Sequence, residues 1–209
     1  MSGDARVIRI GILGSGKGSN CAAILDACAA GKIAGKVVLV LSDVADAFIL
    51  ERARQKGIEA RFIGPSQFKT KLEPEREEQV ARQLTEAGVE LVVLAGYMRV
   101  VKAPLLRAFP GRIINIHPSL LPSFPGLRAW EQALRYGVRI TGVTVHFVDE
   151  GVDSGPIILQ SAVPVFPNDT PESLHARIQV TEHQLYPEAV RLFAAGKLRV
   201  AGRTVKVLE

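Results

Sequence analysis

The sequence predicts an α/β fold: a doubly wound, mostly parallel sheet with helices on both faces, of Rossmann-like type. Three observations predict it. The apolar run Val7–Leu13 enters a glycine-rich turn and then a segment with apolar residues at helical spacing. The strand-helix alternation recurs along the first hundred residues, as right-handed crossovers require. Finally, Leu91–Ala95 ("LVVLA") is apolar at consecutive positions, the pattern of a strand covered on both faces.

Taken in order, Val7–Leu13 is a buried strand, Gly14–Gly18 a tight turn and Asn20–Ala30 a helix. Lys36–Leu41 is a second strand, and a helix over Ala45–Lys56 stops at Gly57. Ala60–Ile63 is a short strand, Glu73–Ala87 a charged amphipathic helix ending at Gly88, and Leu91–Ala95 the next strand. A short helix, Pro104–Phe109, leads to the strand Arg112–Ile116, which sets His117 at its carboxyl end. Trp130–Tyr136 is helical, Gly142–Val148 and Ile157–Val165 are strands, and Pro171–Ala195 is the longest helix. Leu198–Val207 turns at Gly202 as a terminal hairpin. No repeat or linker interrupts the 209 residues, so one domain is expected. Its halves differ in character about residue 100 but share a sheet.

Composition narrows the function. A hydrophobic content of 47% with 22% charge is that of a folded chain. The net charge of +5 and pI of about 9.4 suit an anionic partner. The basic residues are scattered rather than gathered into an aromatic-interleaved tract, so a phosphorylated or carboxylated small molecule is expected, not nucleic acid. Cys21 and Cys28 have no second pair to complete a zinc site, and no secretory signal precedes them. A reduced, cytoplasmic protein without a membrane segment is expected.

The stretch "GILGSGKGSN" approaches two nucleotide motifs and completes neither. Gly11–Lys17 spells G-x-x-x-x-G-K, yet Gly18 stands where a P-loop needs a hydroxyl for magnesium. Gly14 and Gly16 begin G-x-G-x-x-G, but Ser19 takes the third place, leaving Asp43 as the one support for a ribose site. Two readings stay open: Gly18, Ser19 and Asn20 bind a phosphate at a helix start, or the turn is merely tight and capped by Ser19 or Asn20.

"INIHPSLLPSFPG" sets Asn115 and His117 two apart, on one side of an extended chain beyond which ligands bind in parallel sheets. An amide can donate to a developing oxyanion and an imidazole can move a proton, which suits attack at a carbonyl. Pro118, Pro122 and Pro125 would stiffen the loop beside them, and Asp153 in "GVDSGP" is a candidate partner for the imidazole. A structural histidine and a turn aspartate are the alternative readings. Ser15, Ser19 and Ser119 lack a nucleophile elbow, and His146, His175 and His183 lack metal spacing, so neither a covalent intermediate nor a metal is expected.

Read together, "GSGKGSN", "ADAFILERARQKGI", "LVVLAGYMRV", "INIHPSLLPSFPG", "TGVTVHFVDEGVDSGPIILQ" and "EHQLYPEAV" resemble the phosphoribosylglycinamide formyltransferase family over nearly the whole chain. The N-I-H-P-S-L-L-P core and D-x-G-P element are shared among folate-dependent formyltransferases. The G-S-N and F-P-G elements favour the glycinamide ribonucleotide branch.

The resemblance implies transfer of the formyl group of 10-formyltetrahydrofolate, a co-substrate, to the amine of glycinamide ribonucleotide in purine biosynthesis, through a tetrahedral intermediate. It makes Asn115, His117 and Asp153 catalytic, and gives the ribonucleotide to Gly18, Ser19, Asn20, Gln179 and Glu182. Lys71, Met98, Arg99, Val100, Val101, Asn115 and Asp149 fall to the folate. Residues 1–100 become the phosphate-binding half, residues 100–209 the folate-binding and catalytic half, and a homodimer is compatible with the resemblance. Lys71 stands where the family commonly has arginine, and Arg128 and Trp130 where relatives can carry histidines.

Two related activities and one unrelated role compete. Formyltetrahydrofolate deformylases use the same three residues on water but usually carry an extra amino-terminal domain, and methionyl-tRNA formyltransferase needs a carboxyl-terminal one; with the first strand at Val7 and the end at Glu209, neither is expected. A nucleotide-binding module without chemistry would use the glycine turn alone.

Overall fold

The structure, a computed structural model, describes residues 6–208. Its elements run β1 (Ile8–Leu13), α1 (Ser19–Ala29), β2 (Gly35–Ser42), α2 (Phe48–Gln55), β3 (Glu59–Phe62), α3 (Pro74–Glu86) and β4 (Leu91–Leu94). There follow α4 (Ala103–Ala108), β5 (Ile113–His117), α5 (Ala129–Tyr136), β6 (Ile140–Phe147), β7 (Ile157–Pro164), α6 (Pro171–Ala194), β8 (Leu198–Ala201) and β9 (Thr204–Val207).

The nine strands among the described residues form one sheet in the order β3-β2-β1-β4-β5-β6-β7-β9-β8. The strands from β3 to β5 are mutually parallel, whereas β6 and β7 add antiparallel, so the sheet is α/β and mixed towards the carboxyl terminus. The order reverses at β1, whose neighbours are β2 and β4. Such a reversal opens a crevice beyond the strand ends, because the loops on either side lead to opposite faces. Leu13 pairs with Leu94 and Leu94 with Asn115, so the residues following β1 and β4 and the end of β5 lie side by side.

Alternation within the strands divides the core in two. Ile10, Ile12, Leu91 and Val93 face a cluster with Ile24 of α1, Ile49 of α2 and Ile178 of α6. Leu13, Leu39, Val92 and Leu94 face Val80 and Leu84 of α3 and Leu105 of α4. Consecutive apolar residues therefore serve both layers, each fully buried side chain of this kind contributing about 1.5–3 kcal/mol. The fully buried Tyr186 of α6 places its hydroxyl 2.9 Å from the Leu94 carbonyl and 3.0 Å from that of Ile114, one proton serving two acceptors.

Boundaries differ where tertiary contacts intervene. The helix expected from Ala45 starts at Phe48, because the Ile49 amide donates 3.1 Å to the Gly16 carbonyl and holds residues 43–47 against the glycine turn. His117 is the last residue of β5 rather than the first beyond it, paired with Thr144 of β6.

Candidate active site

The glycine turn joins β1 to α1. Gly18 occupies the helix N-cap position with φ of 73°, and no side chain caps the helix. Neither Ser19 nor Asn20 therefore acts as the cap that the tight-turn reading required. A Cβ on Gly18 would lie 2.8 Å from the Cβ of Ile49, so both backbone angle and space demand glycine there. Uncapped first-turn amides at the positive end of a helix dipole suit an anion.

The Asn20 side chain donates 2.9 Å to the Glu182 carboxylate. Both are buried, and Asn20 Oδ1 has no partner. Burial pushes the Glu182 carboxyl above the ordinary range, and the Asn20 hydrogen bond opposes that rise. Gln179 lies three residues earlier on α6, hence on the same face, half-buried. The turn and α6 thus bring the five expected ribonucleotide residues to one region.

Asp43 is not available to a ribose. One of its oxygens accepts from Ser15 Oγ at 2.5 Å and the other pairs with Arg99 Nε at 2.6 Å. The dinucleotide reading loses its last support.

At the end of β5 the three expected catalytic residues gather, with a fourth between them. Asp153 Oδ2 lies 3.3 Å from His117 Nδ1 and accepts from the Gly126 amide at 2.7 Å. Its other oxygen is 3.8 Å from His146 Nε2, which in turn is 3.3 Å from the Asn115 amide nitrogen. His146 Nδ1 meets the Phe147 carbonyl at 2.8 Å, so this nitrogen carries the proton and Nε2 is left to accept from Asn115. Burial depresses the His146 pKa and keeps the ring neutral, with Asp153 opposing. His117 Nε2 meets the Phe124 carbonyl at 2.8 Å. Both His117 nitrogens thus face acceptors, and a neutral ring has one N–H to offer them.

Asp153 adopts φ of 51°, a left-handed conformation that costs a non-glycine residue of order 1–3 kcal/mol. Gly155 follows because a Cβ there would collide with the Phe147 carbonyl. The loop 118–126, which contains a cis Leu121–Pro122 bond, is held by more than its prolines. Thr144 Oγ1 donates to Ser119 O at 2.7 Å and accepts from Leu121 N at 3.0 Å, while Gln160 Nε2 donates to Leu121 O at 2.9 Å.

The residues expected at the folate divide. Met98–Val101 follow β4, whose last residue, Leu94, pairs with Asn115, but their amides are partly committed: Met98 N donates to Ser15 Oγ and Val100 N to Thr70 O. The Arg99 guanidinium is taken by Asp43 and by the carbonyls of Phe68 and Lys71. Lys71 is exposed, its ammonium 4.8 Å from the Phe68 ring centre. Asp149 Oδ1 accepts from Ser154 Oγ at 2.6 Å and from Gly151 N, so this oxygen shapes the loop that carries Asp153. At the rim, Trp130 stacks on His175 with ring centres 3.9 Å apart.

His146, Thr144 and Gln160 were not singled out as site residues in the sequence. The signal for Thr144 and His146 was alternation along β6, and Gln160 lies on β7 opposite Thr144, but antiparallel register, which sets His146 opposite Asn115, has no local mark. Among the described residues no three His, Cys, Asp or Glu side chains gather as a metal site, and no helix is long and apolar enough to cross a membrane.

The family described as Formyl transferase matches residues 8–190. The phosphoribosylglycinamide formyltransferase of Escherichia coli is 44% identical over 193 residues, spanning 92% of this chain and 90% of that protein. The trifunctional purine biosynthetic protein adenosine-3 of Drosophila pseudoobscura is 46% identical across 91% of this chain, which spans 14% of that larger protein. The crystal structure of glycinamide ribonucleotide transformylase 1 from Symbiobacterium toebii superposes with a TM-score of 0.95 at 53% identity, covering 100% of this chain and 98% of that one.

Proposed function

The chain belongs to the formyl transferase family, and from that premise we propose that it transfers the formyl group of 10-formyltetrahydrofolate to the amine of glycinamide ribonucleotide in purine biosynthesis. The observation that carries this reading is the contact of Asp153 with His117 beside Asn115, at a strand end adjoining the uncapped glycine turn.

The neutral amine attacks the formyl carbon, forming a C–N bond, and the bond from that carbon to the folate N10 breaks. The amine gives up one proton and N10 gains one. Asn115 donates a hydrogen bond to the oxyanion, its amide aimed by His146. His117 supplies the proton, its ring held between the Asp153 carboxylate at Nδ1 and the Phe124 carbonyl at Nε2. Asp153, strained and pinned by the Gly126 amide, fixes that ring.

Gly18, Ser19 and Asn20 hold the phosphate with Gln179, while Glu182 accepts from the sugar or glycinamide. Met98–Val101 border the pterin, with Asp149 shaping the neighbouring loop and Lys71 near the folate tail. Residues 1–100 serve the phosphate and 100–209 the folate and the chemistry, as one cytoplasmic catalytic unit.

The test follows loss of 10-formyltetrahydrofolate with and without glycinamide ribonucleotide. Acceptor-dependent loss with a formylated product is expected. Loss without acceptor would make the protein a deformylase, and no loss in either would leave a binding module.

A further inference from the structure

Ser15 belongs to the glycine turn yet bonds the segment beyond β4. Its amide donates 3.0 Å to Gly96 O, and its hydroxyl accepts from Met98 N at 2.9 Å while donating to Asp43. Asp43 passes the link to Arg99, whose guanidinium reaches the Phe68 and Lys71 carbonyls. The Asp43 and Arg99 side chains are 4% and 13% exposed. One hydroxyl and one buried ion pair therefore join three loops: the turn assigned to the phosphate, the segment assigned to the pterin, and the loop carrying Lys71.

We propose that Ser15, Asp43 and Arg99 are positioning residues that couple the two substrate sites, so that a phosphate ligand on the glycine turn tightens reduced-folate binding beside Met98–Val101. The inference rests on the two-substrate reading above. No atom of this network is required by the formyl-transfer chemistry itself. The Ser15 hydroxyl has one proton, already given to Asp43, and receives the Met98 amide on a lone pair. A ligand that fixes the turn therefore fixes Met98 and, through Asp43, the guanidinium that sets the Lys71 loop. Displacing Arg99 leaves the buried Asp43 carboxylate without its cation, and removing the Ser15 hydroxyl takes away both the Met98 amide's acceptor and one donor to Asp43, which makes the arrangement discrete rather than compliant. Coupling of this kind is reciprocal: the folate must tighten the ribonucleotide by the same factor.

The experiment measures tetrahydrofolate affinity by calorimetry on the whole chain, with and without saturating glycinamide ribonucleotide, and then with the ligands exchanged. In the wild type each ligand is expected to tighten the other by about 5- to 20-fold, within the usual range of coupling. In Ser15→Ala the factor is expected to fall below about twofold, and in Ser15→Thr, which keeps the hydroxyl, to return. Arg99→Lys, which loses the forked geometry, gives a second reading should Ser15→Ala fold poorly, and is expected to uncouple likewise. An undiminished factor in Ser15→Ala or Arg99→Lys, or wild-type protein that binds both ligands independently, would overturn the inference. Wild-type protein that binds neither ligand would sink the functional reading itself, and the inference with it.

Discussion

The Asn115 amide nitrogen lies 3.3 Å from Nε2 of His146, a nitrogen left without a proton because Nδ1 donates to the Phe147 carbonyl. The carboxamide is thereby oriented, with its second N–H free for substrate. In His146→Ala this acceptor is lost, and kcat is expected to fall about 10- to 100-fold, the scale of a small misplacement. KM for both substrates should change little. A loss confined to KM in steady-state assays would contradict the orienting role.

Removing the proposed proton-handling groups themselves costs more. His117→Ala and Asp153→Asn are each expected to lower kcat by roughly 10²–10⁴ with the circular dichroism spectrum retained. Because Asp153 and His117 act as a unit, the double variant should be little worse than either single one. Additive losses would mean that the 3.3 Å contact is not used in catalysis.

His146 also makes stability depend on pH. Its folded pKa lies below the ordinary histidine value, so the unfolded chain takes up a proton that the folded chain refuses. Stability from this residue is full at neutral pH and declines as pH falls through about 6.5 towards the lower folded value. His146→Gln is expected to flatten that part of a urea-denaturation profile between about pH 7 and 5. An unchanged slope would show that His146 takes up its proton equally in the folded and unfolded chain.

Glu182 sets folding against binding. Its raised pKa means that the protonated carboxyl suits the fold: the contribution is present below the unfolded value and lost as pH rises through the folded one. Glu182→Gln keeps an acceptor for Asn20 and removes the ionisable group from a buried place. At pH 7 it is expected to raise Tm by about 2–4 °C, corresponding to about 1 kcal/mol. Ribonucleotide affinity should fall at least tenfold while folate affinity holds. Parallel loss of both in calorimetry would instead indicate a damaged α1–α6 contact.

Gly18 offers a check on the turn. Ala at φ of 73° is strained by about 1–2 kcal/mol before its methyl meets Ile49. Gly18→Ala is expected to lower stability and weaken the ribonucleotide, whereas Gly16→Ala, whose Cβ meets nothing within 4 Å, should spare stability. Equal melting temperatures for the two would remove the steric argument.

What could be read from the sequence follows the range of each signal. Leu91–Leu94 declared a strand buried on both faces through four neighbouring residues, and Asn115 and His117 declared a shared side through the two-residue period. The start of α2 was misjudged because the Gly16 carbonyl, thirty-odd residues away, receives the Ile49 amide. Asp43 read locally as the one support left for a ribose site, but its partners are Ser15 and Arg99, known only once β1 and β4 are neighbours. His146 was hidden for the same reason: Asn115 meets it through antiparallel register, which one strand alone does not encode.

Tyr186 gives this arrangement a measure of length. Its phenol pins α6 to the carbonyls of Leu94 and Ile114, one residue before Ala95 and Asn115 respectively, while Glu182 stands four residues, about one helical turn, earlier. The helix works as a ruler fixed at one end, and its graduation of about 5.4 Å per turn sets how far the Glu182 carboxylate stands from Asn115. A residue inserted between Glu182 and Tyr186 would swing that carboxylate about 100° around the helix while leaving every strand in register. The span of acceptor that the proposed site would accommodate is thus written in a helix that carries none of Asn115, His117 and Asp153.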